Sequence, residues 1–282
     1  MQSRISVNCV AMGSGAGSNL KFLLENPGAF TICAGFVDRV CRFQEICENH
    51  KIPCFYLDGI SVCGSHPMSS SRSDFESYVS RVCHFENEII DCFEKFESSS
   101  GVGVDLILLA GYLRVLRGPI LKKYRGRILN VHPGDLRLIG PDGKRLLTGL
   151  NAVLKAIIVG CEETFSTVHF VDEEVDGGSI LAVSNAARIE IEDSLKDFLM
   201  DFRRRQGYEN ILPTHSSLVK LTREMRRNHP VEFAKLSEYA NLHQNLQKKL
   251  CDWPTYARAL EIYADAFQKT HLVQANQQGE CL

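Results

Sequence analysis

The first half of the chain alternates short apolar runs with longer amphipathic segments. Apolar runs of this length predict strands, and the segments between them predict helices. Because the runs are continuous rather than alternating, we expect central strands buried on both faces of a parallel sheet. The predicted strands are residues 5–12, 30–37, 54–57, 105–110, 128–131 and 167–171, and the predicted helices are 18–24, 39–50 and 74–95. The pattern predicts an α/β fold with a doubly wound, mostly parallel sheet.

Three other segments predict loops or turns. Residues 59–73 and 98–103 are rich in serine and glycine, which is typical of surface connections. Residues 136–148 (LRLIGPDGKRLLT) predict a β-hairpin around a Pro-Asp-Gly turn.

The pattern changes after residue 193. The following segment is charged and rich in Lys, Arg, Glu and Leu, so it predicts helices broken near Pro213, Pro230 and Pro254. We predict an α/β domain over residues 1–193, a helical extension over 194–268 that includes a domain-closing helix, and a flexible tail over 269–282.

Composition narrows the function classes. The 282 residues are 44% hydrophobic and 23% charged, with a net charge of −2, which argues against disorder and against nucleic acid as the main partner. No apolar run reaches the length of a signal sequence or a membrane span, so we expect a cytoplasmic protein without a membrane partner. The 11 cysteines form no CxxC pair and no zinc-finger spacing, so we expect reduced thiols and no metal.

A glycine-rich loop, MGSGAGSNL, follows the first predicted strand and opens the first helix. Glycine lets the backbone approach a ligand, and a helix N-terminus favours an anion, so the loop predicts a phosphate site. The dinucleotide motif GxGxxG fails at Ser18, and no lysine follows as a Walker motif needs. Asp38, about twenty residues on, keeps a nicotinamide enzyme as an alternative, and a purely structural turn is another.

Polar residues also follow two later strands. Asn130 and His132 share one face of an extended strand, and Asp176 precedes Gly177 and Gly178. An Asn amide and a protonated imidazole suit a developing oxyanion, and an Asp raises the pKa of the imidazole and orients it. Each residue alone is more often structural, and the spacing does not show that Asp176 meets His132.

Four segments together resemble phosphoribosylglycinamide formyltransferases. They are SGAGSN at 14–19, AGYLRVL at 110–116, NVHP at 130–133 and STVHFVDEEVDGG at 166–178. Order and spacing both agree over roughly residues 5–190. Residues 252–264 (DWPTYARALEIYA) resemble the helix that closes the domain in that family.

The resemblance implies an enzyme that transfers a formyl group from 10-formyltetrahydrofolate, its co-substrate, to glycinamide ribonucleotide in purine synthesis, without a metal. It implies Asn130, His132 and Asp176 as catalytic residues, with His169 supporting them. It implies substrate-phosphate binding by Gly17, Ser18 and Asn19. Folate binding is implied for Arg72, Leu113, Arg114, Val115, Leu116 and Asn130. The partners would be small molecules, and the protein a monomer or homodimer.

The chain departs from the family after His132. Gly134, Asp135 and Leu136 replace a Ser-Leu-Leu-Pro run, and Asn151 stands where a histidine is usual. The stretch from 194 to 250 displaces the glutamate expected at the substrate amine, for which Asp252 is a possible substitute. Three alternatives therefore stay open: another amine acceptor, a formyltetrahydrofolate hydrolase, or a folate- or nucleotide-binding protein without turnover.

Overall fold

A computed structural model of the chain describes residues 6–64 and 72–277, and for 274–277 it describes only the backbone. The strands are β1 (Val7–Gly13), β2 (Phe30–Val37), β3 (Cys54–Tyr56), β4 (Leu106–Leu109), β5 (Ile128–His132), β6 (Glu163–Thr164), β7 (Thr167–Phe170), β8 (Ile180–Val183) and β9 (Ala187–Arg188). The helices are α1 (Ser18–Glu25), α2 (Arg42–Asn49), α3 (Gly59–Cys63), α4 (Arg72–Ser100), α5 (Pro119–Lys123), α6 (Ala152–Ile158), α7 (Asp193–Arg205), α8 (His215–Asn228), α9 (Pro230–Gln247) and α10 (Trp253–Gln277).

Seven strands form one sheet in the order β3-β2-β1-β4-β5-β7-β8. The β1–β2, β2–β3, β1–β4 and β4–β5 pairs are parallel, and β7–β8 is antiparallel. The chain reverses its direction of winding between β1 and β4, so the sheet has the switch point of a doubly wound fold. The predicted fold class is confirmed.

Contacts group the described residues into two units. The first contains residues 6–64, 72–130, 170–174 and 257–277, and the second contains 131–169 and 175–256. The predicted boundaries at 193 and 268 follow sequence character rather than contacts, and they remain predictions.

The first unit has an aromatic core beneath α4. The buried positions of α4 recur every three or four residues, so one stripe of the helix is apolar. Phe36 of β2 meets Phe85 and Phe93 of α4 edge to face, at centroid distances of 6.3 and 6.2 Å. Phe93 also meets Tyr124 at 6.2 Å, and this packing holds the strands that carry the glycine loop.

The core of the second unit is built around α6. All seven residues of α6 (AVLKAII) are buried. Apolar side chains from α7, α8 and α9 pack against it, including Leu199, Leu218 and Leu236. Each of the three helices buries apolar side chains against α6, and α6 itself has no exposed residue.

Local predictions failed where side-chain capping or turns decide the structure. Residues 59–63 form α3 rather than a loop because the Asp58 carboxylate accepts from the amides of Ile60 and Ser61. Residues 65–71 of that predicted loop lie outside the described residues, whereas 72–73 and 98–100 belong to α4. The predicted hairpin is a short fold-back with one antiparallel bridge, Ile139–Arg145, flanked by backbone hydrogen bonds from Gly140 to Lys144 and from Leu146 to Leu138.

Helix boundaries lie near the three prolines, as predicted. Pro213 precedes α8, and Pro230 occupies the first turn of α9, where a missing amide hydrogen costs nothing. A five-residue π-helical turn, Lys248–Asp252, joins α9 to α10 just before Pro254. The α10 helix continues to Gln277 and so covers part of the predicted tail. Within the part of the chain that the structure describes, no helix is long and apolar enough to span a membrane.

Candidate active site

The glycine loop places a left-handed residue immediately before α1. Gly17 has a φ of +67°, and a Cβ there would lie 2.7 Å from Ile46 and 3.0 Å from the Phe43 backbone. Only glycine fits such a position without strain. Within the described residues no side chain caps α1, so the amides of its first turn, at Ser18 and Asn19, face outward from the helix. Phosphate is the ligand such a turn favours.

The same loop is fastened to the predicted folate segment. The amide of Leu113 donates to Oγ of Ser14 over 3.0 Å, and the amide of Ser14 donates to the Gly111 carbonyl over 3.1 Å. Asn19 is partly buried, and its Oδ1 has no hydrogen-bond partner among the described residues. A buried amide oxygen without a partner is a position at which a ligand donor would be favoured.

Asp38 is a structural residue rather than a ribose ligand. It is fully buried, and its carboxylate accepts from Arg114 Nε over 2.8 Å and from Arg39 Nη2 over 2.9 Å. Although burial raises the pKa of Asp38, its hydrogen bonds to Arg39, Ser14 and Arg114 lower it further. A nicotinamide enzyme would use this acidic residue to bind ribose. Both carboxylate oxygens of Asp38 already accept hydrogen bonds from arginines, so Asp38 does not serve that role.

The predicted folate residues form a mixed segment. Leu113 is exposed, Val115 is half-buried and Leu116 is buried. Nε of Arg114 donates to Asp38, so that nitrogen is already occupied. The segment ends at Arg117, whose amide donates over 2.6 Å to the carboxylate of buried Glu86. Glu86 therefore holds the end of the segment, a role that the sequence did not indicate.

A large groove lies beside this segment in the same unit. It is lined by residues 118–125 of α5 and its surroundings and by residues 171–174 after β7. Its charged lining residues are Lys122, Arg125, Asp172, Glu173 and Glu174. The predicted folate contact Arg72 begins α4, is 93% exposed and pairs with Glu76 over 2.9 Å.

The second unit brings His132 and Asp176 together. His132 Nδ1 lies 3.3 Å from Asp176 Oδ2, and both side chains are largely buried. The other ring nitrogen, Nε2, donates to the Leu147 carbonyl over 2.6 Å. Since a carbonyl only accepts, the proton on Nε2 is fixed, and protonation of the ring adds a donor toward Asp176.

Asp176 is held from several sides. Its Oδ2 accepts from the Gly149 amide over 2.7 Å, and its Oδ1 lies 3.4 Å from Nε2 of His169. Arg145 donates to the backbone carbonyls of Asp176 and Gly178, over 2.5 and 2.8 Å. The φ of Asp176 is +54°, a left-handed conformation that Asp tolerates better than most residues. This turn brings the carboxylate to His132.

Burial and charge act in opposite directions on the pair. Burial lowers the pKa of His132 below its ordinary value, and Asp176 opposes this only in part. Burial also raises the pKa of Asp176, but its contacts with His169, His132 and the Gly149 amide outweigh burial and set it at about 2. As predicted, the charge of Asp176 raises the pKa of His132. The effect of burial is larger and opposite, so the pKa of His132 is lowered overall.

Asn130 lies on the same strand as His132. It pairs in register with Leu109 of β4, at the carboxyl end of β5. Two residues apart on a strand, Asn130 and His132 point to the same face of the sheet. Ligands gather at this edge in open α/β sheets.

Comparison with known proteins shows the family of this chain. The formyl transferase family matches residues 74–215, about half of the chain. The chain belongs to the formyl transferase family. It is 33% identical over 204 residues to trifunctional purine biosynthetic protein adenosine-3 of Gallus gallus, covering 70% of this chain and 17% of that protein. It is 39% identical over 114 residues to phosphoribosylglycinamide formyltransferase of Haemophilus influenzae, covering 40% and 48%.

A solved structure supports the fold of this formyl transferase family member. Glycinamide ribonucleotide transformylase 1 from Geobacillus kaustophilus has a TM-score of 0.50 and 23% identity, covering 72% of this chain and 96% of that chain. The matched region spans about half the length of the Haemophilus influenzae relative and about a sixth of the chicken protein.

Asp252 does not fit the role suggested for it at the substrate amine. It is 4% exposed, and Oδ1 accepts a short hydrogen bond from the Ser166 hydroxyl. Burial raises its pKa to about 6. The Ser166 oxygen in turn accepts from Gln247 Nε2 over 3.0 Å. Asp252 is thus part of a buried polar cluster, defined here as Ser166, Gln247 and Asp252.

In the altered loop after His132, close packing favours glycine at position 134. A Cβ at Gly134 would lie 2.8 Å from Nε2 of His132 and 3.0 Å from Ala152. The Gly134 carbonyl accepts from the Thr167 hydroxyl over 2.8 Å, which fixes the loop. Asn151, where the family has histidine, precedes α6 in a left-handed conformation with a φ of +60°. Across residues 6–64 and 72–277, no group of three or more His, Cys, Asp or Glu residues is arranged to hold a metal.

Proposed function

We propose that this protein transfers a formyl group from 10-formyltetrahydrofolate to the amine of glycinamide ribonucleotide, a step of purine synthesis. The observation that carries the proposal is the His132–Asp176 pair, in which acceptors face both nitrogens of a buried imidazole. Such a ring is poised to take up a proton when negative charge develops beside it. The names of the relatives from Haemophilus influenzae and Gallus gallus point to the same chemistry and pathway.

The acceptor's phosphate is assigned to the glycine loop. Gly17 supplies the turn, and Ser18 and Asn19 supply amides at the start of α1. The unpartnered Oδ1 of Asn19 adds a hydrogen-bond acceptor for a hydroxyl of the ligand. A ribonucleotide carries both a phosphate and ribose hydroxyls, so it matches this set of groups.

The folate is assigned to residues 113–116, with Arg72 and Asn130 as further contacts. The exposed Leu113 and buried Leu116 provide apolar surface, and the backbone provides polar groups for a pterin. The neighbouring groove, lined by Lys122 and Arg125 and by three carboxylates, extends the surface available to a large ligand. These assignments follow the resemblance residue by residue.

The chemistry requires no group beyond these side chains. The neutral amine attacks the formyl carbon, forming a C–N bond, while the carbonyl oxygen becomes negative. The Asn130 amide and the positive charge of protonated His132 stabilise that oxygen. Asp176 stabilises the imidazolium, and the attacking nitrogen gives up one proton. As the carbon–N10 bond breaks, that proton is transferred to N10 of the folate, which leaves as a neutral amine.

The proposal is tested by mixing the protein with 10-formyl-5,8-dideazafolate and glycinamide ribonucleotide and following the deformylated product by absorbance. We expect release that needs the ribonucleotide and falls by at least 10²-fold in His132→Ala. The matched control is His84→Ala, a histidine whose side chain is 70% exposed on α4, and it should match wild type. Release without the ribonucleotide would replace the proposal with a hydrolase, and no release would overturn it.

A further inference from the structure

A buried lysine lies beside the His132–Asp176 pair. Lys155 is the one charged residue of α6, and it is 8% exposed. Its Nζ donates to the Thr148 carbonyl over 2.7 Å. Lysine is rarely this buried unless it is paired, because desolvation of the ammonium is costly. Burial lowers the pKa of Lys155, and the charge of Asp176 opposes that shift.

Lys155 holds the middle of a short segment whose neighbours hold the catalytic pair. The Leu147 carbonyl accepts from Nε2 of His132 over 2.6 Å, and the Gly149 amide donates to Oδ2 of Asp176 over 2.7 Å. The Thr148 carbonyl between them accepts from Lys155. Residues 147–149 thus contact His132, Lys155 and Asp176 in turn, and a shift of this segment moves both catalytic partners.

His215 of α8 also contacts this part of the chain. Gly149 has a φ of +72°, and a Cβ there would lie 4.0 Å from Nζ of Lys155. Thr148 also contacts His215, with Oγ1 3.3 Å from Nδ1. Nδ1 of His215 further lies 3.0 Å from the Leu146 carbonyl, so α8 contacts both Thr148 and the residue that precedes the segment.

The charge of Lys155 also bears on His132. The charged or titratable groups that act on His132 are Asp176, His169 and Lys155, besides the Leu147 carbonyl. Asp176 favours the imidazolium, whereas His169 and Lys155 disfavour it. Because all these groups are buried in one unit, solvent screens them weakly.

We propose that Lys155 is a positioning residue of the His132–Asp176 pair. Its hydrogen bond fixes the 147–149 segment, and its charge adjusts how readily His132 takes up a proton. The consequence for catalysis rests on the proposed function, whereas the effect on the pair itself does not.

Two substitutions separate the two effects. Lys155→Gln keeps a hydrogen-bond donor for the Thr148 carbonyl and removes the charge. Lys155→Met fills a similar volume and removes both. The control is Lys196→Met on α7, a lysine that is 52% exposed and pairs only with Asp193 among the described residues.

The first readout is the titration of His132 by NMR in the free protein. We expect the pKa of His132 to move up in both Lys155 variants, because a neighbouring cation is lost, and to stay unchanged in Lys196→Met. An unchanged titration in both variants would overturn the electrostatic role. If Lys155→Met does not fold, Lys155→Gln alone decides this point.

The second readout is kcat for the ribonucleotide-dependent reaction. A misplaced segment should lower kcat of Lys155→Met by about 10- to 100-fold, with Lys155→Gln recovering most of the loss. Equal kcat in wild type and both variants would overturn the positioning role. A wild-type protein that transfers no formyl group, while the His132 titration still shifts, would refute the proposed function and leave the electrostatic role standing.

Discussion

The pKa values of two buried aspartates in the second unit are shifted in opposite directions. Asp176 has a side chain 10% exposed and a pKa of about 2. Asp252 is 4% exposed and has a pKa of about 6. Burial raises the pKa of both carboxyls, so burial does not distinguish them.

The partners decide the difference. Asp176 faces two imidazoles and a backbone amide, which all favour the carboxylate. Asp252 accepts from one hydroxyl, and the charge of Lys248 acts on it only weakly beside the cost of burial. The comparison teaches that a low pKa marks a carboxylate built to stay charged, and a raised pKa marks one that packs as a polar core group.

The largest effect should be on activity. Asp176→Asn removes the charge that stabilises the His132 imidazolium, and we expect kcat to fall by about 10³- to 10⁴-fold. Asp252→Asn should stay within about twofold, because Asp252 contacts Ser166 and, among the contacts described, neither His132 nor Asp176. Steady-state kinetics of the two variants check this, and similar losses in both would remove the distinction between the two sites.

The next effect is on stability at neutral pH. Above pH 6 the buried Asp252 carboxyl must ionise, so Asp252→Asn should raise the free energy of unfolding by about 1–3 kcal/mol. Asp176→Asn should lower it by about 2 kcal/mol, because its contacts favour the charge. Urea unfolding at pH 8 measures both, and a destabilised Asp252→Asn would show that its carboxylate is paired after all.

The pH dependence of stability sharpens the comparison further. The folded pKa of Asp176 is depressed, so its contribution is present above about pH 4 and is lost as pH falls toward about 2. The folded pKa of Asp252 is raised, so its protonated form stabilises the protein at low pH, and that gain is lost as pH rises through about 6. In the wild-type protein the melting temperature should fall at the acid end and again toward neutral pH. Measured from pH 3 to 8, the fall at the acid end should be absent in Asp176→Asn, and the fall toward neutral pH should be absent in Asp252→Asn.

The smallest effect concerns the donor to Asp252. Ser166→Ala removes the hydroxyl that donates to Oδ1 and accepts from Gln247, and we expect a loss of about 1–2 kcal/mol in unfolding free energy. Activity should remain within about twofold, because Ser166 contacts neither His132 nor Asp176 among the contacts described. A large loss of activity would place the buried polar cluster inside the reaction centre.

Local sequence patterns predicted the strands and the glycine loop of the first unit well. The run at 30–37 is β2 residue for residue, and the glycine loop occupies its predicted place between β1 and α1, since both features depend on neighbouring residues. Pairing of His132 with Asp176 needed the family resemblance, because the two residues are 44 positions apart and meet through a left-handed turn.

Other features depended on contacts that no local pattern reveals. The role suggested for Asp252 failed because its hydrogen-bond donor, Ser166, is 86 residues away. Arg114 is paired with Asp38 across 76 residues, which occupies its Nε. The sequence carries one signal for Lys155: it is a single charge in an otherwise apolar helix.

The central claim is that the formyl group passes to the amine of glycinamide ribonucleotide at the His132–Asp176 pair. The most direct test supplies 10-formyltetrahydrofolate labelled with ¹³C in the formyl group and follows the label by NMR and mass spectrometry. We expect label in a formylated ribonucleotide with the wild-type protein and with Asp252→Asn, and almost none with Asp176→Asn. Label recovered as formate, or equal transfer by Asp176→Asn, would contradict it.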